Sequence, residues 1–156
     1  MNEGEQRFLE IIKDHGWHVT QVRNTEEQEG PTFSYSTGIY RNFGKPELIV
    51  FGLSNEMEKW VINEYGNEIQ SGKREFYTNS FYDGFLEDFD VCMIDANENA
   101  RKEYACWADW YYDRKPFPIF QCIYPTTSGV WPWDDGASET FKESQPLFGA
   151  PPQTPK

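Results

Sequence analysis

Two histidines, His15 and His18, lie within the segment His15-Gly16-Trp17-His18. An imidazole exchanges protons near neutral pH and also binds metal ions, so these residues are the first candidates for acid–base or metal chemistry. Gly16 is predicted to end a helix just before a strand begins at Trp17, an arrangement that points the two rings apart. The spacing therefore favours capping or core roles for the histidines and predicts no metal site, while Trp17 is kept as a candidate for partner binding and His18 for proton transfer.

The segment from Phe33 to Gly38 places hydroxyl groups on a predicted strand that ends in glycine. Tyr35, Ser36 and Thr37 could line a pocket, and Gly38 would let a ligand approach the backbone closely. The alternative is an ordinary strand whose polar side chains face solvent. Both interpretations stay open at the level of the sequence.

Glu47 stands immediately before a strongly apolar strand, either as an inward-facing carboxylate or as a solvated turn residue. A carboxylate buried without a partner has a raised pKa and becomes a functional candidate. One hypothesis is therefore an enzyme or ligand pocket in which His18, Tyr35, Ser36 and Glu47 converge across neighbouring strands. In that site Tyr35 or His18 would handle protons and Glu47 would orient them.

The segment Trp131-Pro132-Trp133-Asp134 holds two indoles beside a proline, followed by acidic residues. Such a pair forms a rigid surface for stacking or for contact with a protein, so Trp131, Trp133 and Asp134 are candidate partner-binding residues. The alternative is a tail that folds back and covers the core. Further acids could extend an anionic face or simply be solvated; they are Asp83, Glu87, Asp88, Asp90, Asp135, Glu139 and Glu143.

Charge excludes several classes of protein. The 156 residues carry 14 Lys and Arg against 26 Asp and Glu, which gives a net charge of −12 and argues against nucleic-acid binding. The apolar runs are far shorter than the ~20 residues of a membrane span, and the N-terminal residues are too acidic for a signal peptide. The three cysteines are widely separated and form no disulfide or zinc pattern. We therefore expect a cytoplasmic protein that binds neither nucleic acid nor membrane.

The first elements must position the histidine segment and the hydroxyl-rich strand. Apolar residues at helical spacing predict a helix that Gly16 ends, and the alternation from Trp17 to Val22 predicts a strand. A polar loop, Asn24–Pro31, leads to a second strand over residues 32–37, so the two strands are interpreted as a hairpin. The continuous apolar run within Glu47–Gly52 then predicts a central strand buried on both faces.

In the second half of the chain, helices and strands alternate less regularly. We predict a helix from Ser54 or Asn55 to about Ile69, short strands within residues 76–85, and a strand over residues 88–94. A helix beginning near Asp95 and a strand over residues 117–124 follow. These elements indicate an α+β fold with a mixed, largely antiparallel sheet and two to three packed helices. We expect a single domain over residues 1–149 and a disordered C-terminal tail over residues 150–156.

Several of these segments resemble a bacterial family of domains of unknown function, number four-two-six-two. The resemblance runs from Asp14 to Gly149 and implies no catalytic residues. The chain departs from the family at Tyr124-Pro125-Thr126, where relatives tend to carry an acidic residue after the aromatic-Pro pair. The segments that carry the resemblance are His15–Val19, Phe33–Ile39, Pro46–Leu53, Phe117–Gln121, Trp131–Asp134 and Gln145–Leu147.

The leading functional hypothesis is a non-enzymatic binding protein that needs no cofactor and recognises a protein or small molecule through an aromatic and acidic surface. An immunity or inhibitor protein in bacterial conflict would fit, because acidic charge accelerates association with a basic effector. The alternative is the enzyme or ligand pocket with its His, Tyr, Ser and Glu residues. A purely structural interaction role is the third interpretation.

Overall fold

One mixed β-sheet of six strands runs through the part of the chain that the structure describes, residues 1–23 and 31–152 of a computed structural model. The strands are β1 (His18–Val22), β2 (Phe33–Thr37), β3 (Glu47–Phe51), β4 (Ser80–Leu86), β5 (Phe89–Asp95) and β6 (Ile119–Ile123). Their spatial order is β1-β2-β3-β6-β5-β4, and β3 pairs with β6 in parallel while the other neighbours are antiparallel. The prediction of an α+β fold with a largely antiparallel mixed sheet is confirmed.

Helices flank this sheet. They are α1 (Glu3–His15), α2 (Ile39–Phe43), α3 (Asn55–Ser71), α4 (Cys106–Tyr111) and α5 (Glu139–Ser144), with a π-helical turn (Ala100–Tyr104) before α4. The two long helices, α1 and α3, begin at the polar caps Asn2 and Ser54. Within the described residues, no helix combines the length and the apolar character that crossing a bilayer demands.

The central strands are covered on both faces. β3 lies between β2 and β6, and all three are buried along their whole length, so the prediction of a central strand at Glu47–Gly52 is confirmed. Helix α3 packs on one face through Val61, Ile62 and Tyr65. The π-helical turn, α4 and the C-terminal segment cover the other face. Residues that alternate along a central strand therefore enter two separate cores.

The helix predicted to begin near Asp95 is present but begins later, at Glu98. Asp95 is the last residue of β5 and pairs with Phe120 of β6, because the sheet ladder extends further than the local capping pattern suggests. The helical residues that follow are broken at Ala105, whose φ and ψ are −84° and 55°, so the one predicted helix is divided between the π-helical turn and α4.

Three other segments differ from expectation. Residues 80–86 form one strand with a bulge in place of the predicted short strands. The short helices α2 and α5 lie in segments for which no helix was predicted. Most of the predicted loop Asn24–Pro31 (residues 24–30) and part of the predicted disordered tail (residues 153–156) lie outside the described residues.

Gly66 in α3 marks a close contact between this helix and the start of β1. A Cβ atom at Gly66 would lie 2.6 Å from ring atoms of Trp17, whose side chain is only 1% exposed. The missing side chain therefore lets the indole lie flat against α3. The indole Nε1 then donates to Oδ1 of Asn63 at 2.9 Å, one turn earlier in the helix.

We expect Gly66→Ala to lower the free energy of unfolding by about 1–3 kcal/mol, because the added methyl group overpacks Trp17 by more than helix propensity gains. Gly4→Ala in α1 is the matched control, since its nearest contact is the Asn2 side chain at 3.4 Å. Urea unfolding measures both. A Gly66→Ala protein as stable as Gly4→Ala would show that this contact is not tight in solution.

Candidate functional site

The carboxylate of Glu47 is fully buried at the start of β3 and accepts five hydrogen bonds. Its donors come from the end of β2, the start of α2 and the end of α4. They are Ser36 Oγ (2.7 Å to Oε1), Gly38 N (3.0 Å to Oε2), Ile39 N (3.2 Å to Oε1), Tyr40 N (3.1 Å to Oε2) and the Tyr112 hydroxyl (to Oε2).

Glu47 caps α2 from a neighbouring strand. The residue before α2 is Gly38, which has no side chain to accept the free N–H groups of the first turn. Gly38 is required there because its φ is 113° and a Cβ atom would lie 2.8 Å from the carbonyl oxygen of Gly16. The three N–H groups at the start of α2 therefore donate to Glu47, whose negative charge also suits the positive end of the helix.

The hydroxyl donors around Glu47 are themselves paired. Ser36 Oγ accepts from Leu48 N at 2.9 Å, and the Tyr112 hydroxyl accepts from Arg41 N at 3.2 Å. Burial raises the pKa of Glu47 above its usual value, although the hydrogen bonds from Tyr112 and Ser36 oppose the shift. Burial and the adjacent carboxylate raise the pKa of Tyr112, so its hydroxyl keeps the proton that it donates.

A second buried carboxylate, Glu58 of α3, was not identified from the sequence. It accepts from Ser34 Oγ at 2.7 Å and from Leu53 N at 3.2 Å, and burial raises its pKa. The signal that could have revealed both sites is the spacing of Ser34 and Ser36 on a buried strand. Each serine is fully buried and donates to one glutamate.

The structure brings Ser36 and Glu47 together but places the other two residues of the enzyme hypothesis elsewhere. Tyr35 enters the opposite core, where its hydroxyl accepts from Trp107 N at 2.9 Å and burial raises its pKa to about 12. His18 packs edge-on against Phe8, with ring centroids 4.8 Å apart. Burial lowers the pKa of His18, and its Nδ1 lies 3.2 Å from Oγ1 of Thr20.

Two residues proposed for binding lie in the interior. Trp17 belongs to the core under α3, and Thr37 is buried with its Oγ1 lacking a hydrogen-bond partner among the described residues. Within residues 1–23 and 31–152, no three side chains of the His, Cys, Asp and Glu type are grouped closely enough to hold a metal ion.

The two tryptophans of the C-terminal segment stack on each other. The ring centroids of Trp131 and Trp133 are 5.1 Å apart with an angle of 6° between the ring planes, and both side chains are half-buried. They pack on the sheet over Ile94 and Ile123. Asp134 closes the turn by accepting from Trp131 N at 2.8 Å. The segment thus folds back onto the core and still presents part of both indoles to solvent.

A second aromatic cluster joins α1 to α4. Phe8 of α1 lies with its ring centroid 4.8 Å from that of Trp107 and 6.2 Å from that of Trp110. Beside this cluster lies an open cleft of about 610 Å³, lined by Leu9, Arg41, Trp110, Tyr111, Asp113 and Arg114. The break at Ala105 starts α4 anew, and α4 turns Trp107 and Tyr111 towards Phe8 of α1.

Fold and geometry together define a small α+β protein whose mixed sheet is fixed to its flanking helices by buried glutamates. The chain belongs to the family described as Domain of unknown function (DUF4262), whose model matches residues 11–138. The resemblance seen in the sequence is thereby confirmed. No curated protein and no solved structure matches the chain.

We expect Glu47→Gln to lower the free energy of unfolding by about 2–4 kcal/mol, because a carboxamide can accept only through one atom and turns an N–H donor towards other donors. Glu56→Gln is the matched control, since Glu56 is exposed on α3 and should change stability by less than about 0.5 kcal/mol. Urea unfolding at neutral pH compares the two. Equal stability of both variants would contradict the central place given to Glu47.

The raised pKa values of Glu47 and Glu58 predict a pH dependence. The folded protein binds these protons more readily than the unfolded chain, so the free energy of unfolding should rise as the pH falls through the raised pKa values towards the ordinary value of 4.5. In Glu47→Gln the share of this slope that Glu47 contributes should disappear, whereas Glu56→Gln should keep the wild-type slope. Urea titrations at several pH values test this; an unchanged slope in Glu47→Gln would refute it.

Proposed function

We propose that this protein is a non-enzymatic binding protein that recognises a basic protein partner through an aromatic–acidic surface. The observation that carries the proposal is the pair of parallel, half-buried indoles of Trp131 and Trp133, held on the sheet with part of each ring open to solvent. The aromatic–acidic surface is defined by Phe81, Asp90, Trp131, Trp133, Asp134 and Asp135.

The aromatic part of this surface is preorganised. Phe81 is 44% exposed and forms a T-shaped pair with Trp131, with ring centroids 5.3 Å apart. Trp133 stacks on the other indole, and the buried Pro132 fixes the chain between them. Rigid rings lose little conformational entropy on binding, and indoles are enriched among the residues that dominate interface energies.

Acidic residues border the rings. Asp90 of β5 is exposed and stands two residues before Cys92, so its side chain lies on the sheet face that the indoles cover. Asp134 and Asp135 follow the second indole directly. With a net charge of −12, such a surface attracts a basic partner and raises the rate of association.

The proposal extends to the setting of the protein. A bacterial immunity or inhibitor protein that neutralises a basic effector would need this combination of acidic charge and rigid aromatic contacts. A cytoplasmic location accords with the free thiols of Cys92, Cys106 and Cys122, of which Cys106 is exposed. A small-molecule partner at the same rings is the narrower alternative. The four residues of the enzyme hypothesis do not converge, so the proposal assigns them no catalytic role.

We expect the double variant Trp131→Ala/Trp133→Ala to lose proteins that wild type captures from a bacterial lysate, with at least about a tenfold fall in affinity for a partner once identified. Trp60→Ala is the control, because Trp60 is 49% exposed on α3 and lies outside the aromatic–acidic surface. Quantitative mass spectrometry of the captured proteins measures the loss, and thermal unfolding shows whether the double variant is folded.

A second experiment changes the acidic residues and leaves the two indoles in place. Asp90→Lys/Asp135→Lys changes two exposed residues and should slow association several-fold, with an effect that weakens as salt is added. Surface plasmon resonance with the captured partner reports this rate. The proposal fails if the folded double tryptophan variant retains every protein that wild type and Trp60→Ala capture.

A further inference from the structure

The cleft between α1 and the end of α4 shares no residue with the aromatic–acidic surface. Arg41 and Arg114 line one opening together with Trp110, Tyr111 and Asp113. Only 14 residues of the chain are Lys or Arg, and the net charge of −12 repels anions in general. An anion that binds here must therefore be held by local contacts.

Arg41 is held in position from two sides. Its guanidinium carbon lies 5.8 Å from the ring centroid of Tyr111, a cation–π contact. Its backbone N–H donates to the Tyr112 hydroxyl, which donates in turn to the buried Glu47. The Glu47 network thus fixes α2 against the end of α4 and sets the distance between the two walls of the cleft.

The other wall has a strained backbone. Asp113 and Arg114 are consecutive non-glycine residues with φ values of 56° and 59°, a left-handed conformation that costs free energy and often occurs at binding sites. It turns the chain so that Arg114 donates to Asp109 twice, from its N–H at 2.8 Å and from Nη1 at 3.1 Å. The Arg114 side chain is still 75% exposed, which leaves other guanidinium donors free for a ligand.

We propose that this cleft binds a mononucleotide. The ring of Trp110 provides a stacking surface for a base, and the guanidinium groups of Arg41 and Arg114 suit a phosphate. The carboxylate of Asp113 is an acceptor for ribose hydroxyls. The volume of about 610 Å³ lies within the range of small-molecule sites, and its lining matches the three parts of a nucleotide in kind.

Isothermal titration calorimetry of the wild-type chain with each of the four common ribonucleoside 5′-monophosphates tests this site. At least one should bind with a Kd below about 1 mM. The matching nucleoside and inorganic phosphate should each bind at least about tenfold more weakly, because each lacks some of the groups that the nucleotide presents to the cleft. This comparison separates a nucleotide site from a site for phosphate alone or for an aromatic ring alone.

The variants locate the site. Arg41→Gln/Arg114→Gln should weaken binding of that nucleotide at least about tenfold, and Trp110→Ala should weaken it by a similar factor, since each removes one class of contact. Arg7→Gln/Lys45→Gln is the control, because it removes two exposed positive charges outside the cleft. Thermal unfolding confirms that each variant is folded.

Three results would overturn the assignment. They are no saturable binding of any of the four nucleotides, inorganic phosphate binding as tightly as the best nucleotide, or an equal loss of affinity in the arginine double variant and its control. None of these results bears on the capture experiment with Trp131 and Trp133, so the two proposals stand or fall separately.

Discussion

The requirement to satisfy one buried carboxylate governs the end of the sheet where β2, β3, α2 and α4 meet. A carboxylate in a dry interior is costly unless it is hydrogen-bonded on all sides, and Glu47 meets that condition with five donors. The donors come from three elements, so each must keep its position for the others to be satisfied. The tight turn at Gly38 and the orientation of Tyr112 both follow from this one group.

The same constraint connects structure to the proposed ligand cleft. Tyr112 bonds to Glu47 and also accepts from the backbone of Arg41, so the two walls of the cleft are fixed relative to each other. At the other edge of the sheet, near β4 and β5, aromatic side chains make the main contacts. There Trp131 and Trp133 cover the sheet face and remain partly exposed to solvent, so the proposed binding surface also covers the core.

Elements with strong local signals were predicted well. The helix ending at Gly16, the strands around residues 18–22 and 33–37, and the central strand at Glu47 each follow from periodicity, glycine stops or apolar runs, which act over a few residues. The helix predicted to begin near Asp95 starts three residues later, at Glu98. Its local capping pattern competes with pairing to Phe120, and the ladder between distant strands prevails.

The sequence by itself determined the α+β class, the acidic charge and the alternation that puts Ser34 and Ser36 on the same side of β2. Only the tertiary structure decided what those serines meet. Ser34 contacts a glutamate 24 residues away, and the carboxylate that Ser36 contacts is completed by a tyrosine 65 residues away. Local patterns depend on neighbours in the chain, whereas a buried carboxylate selects its donors from whatever the packed sheet and helices bring within hydrogen-bond reach.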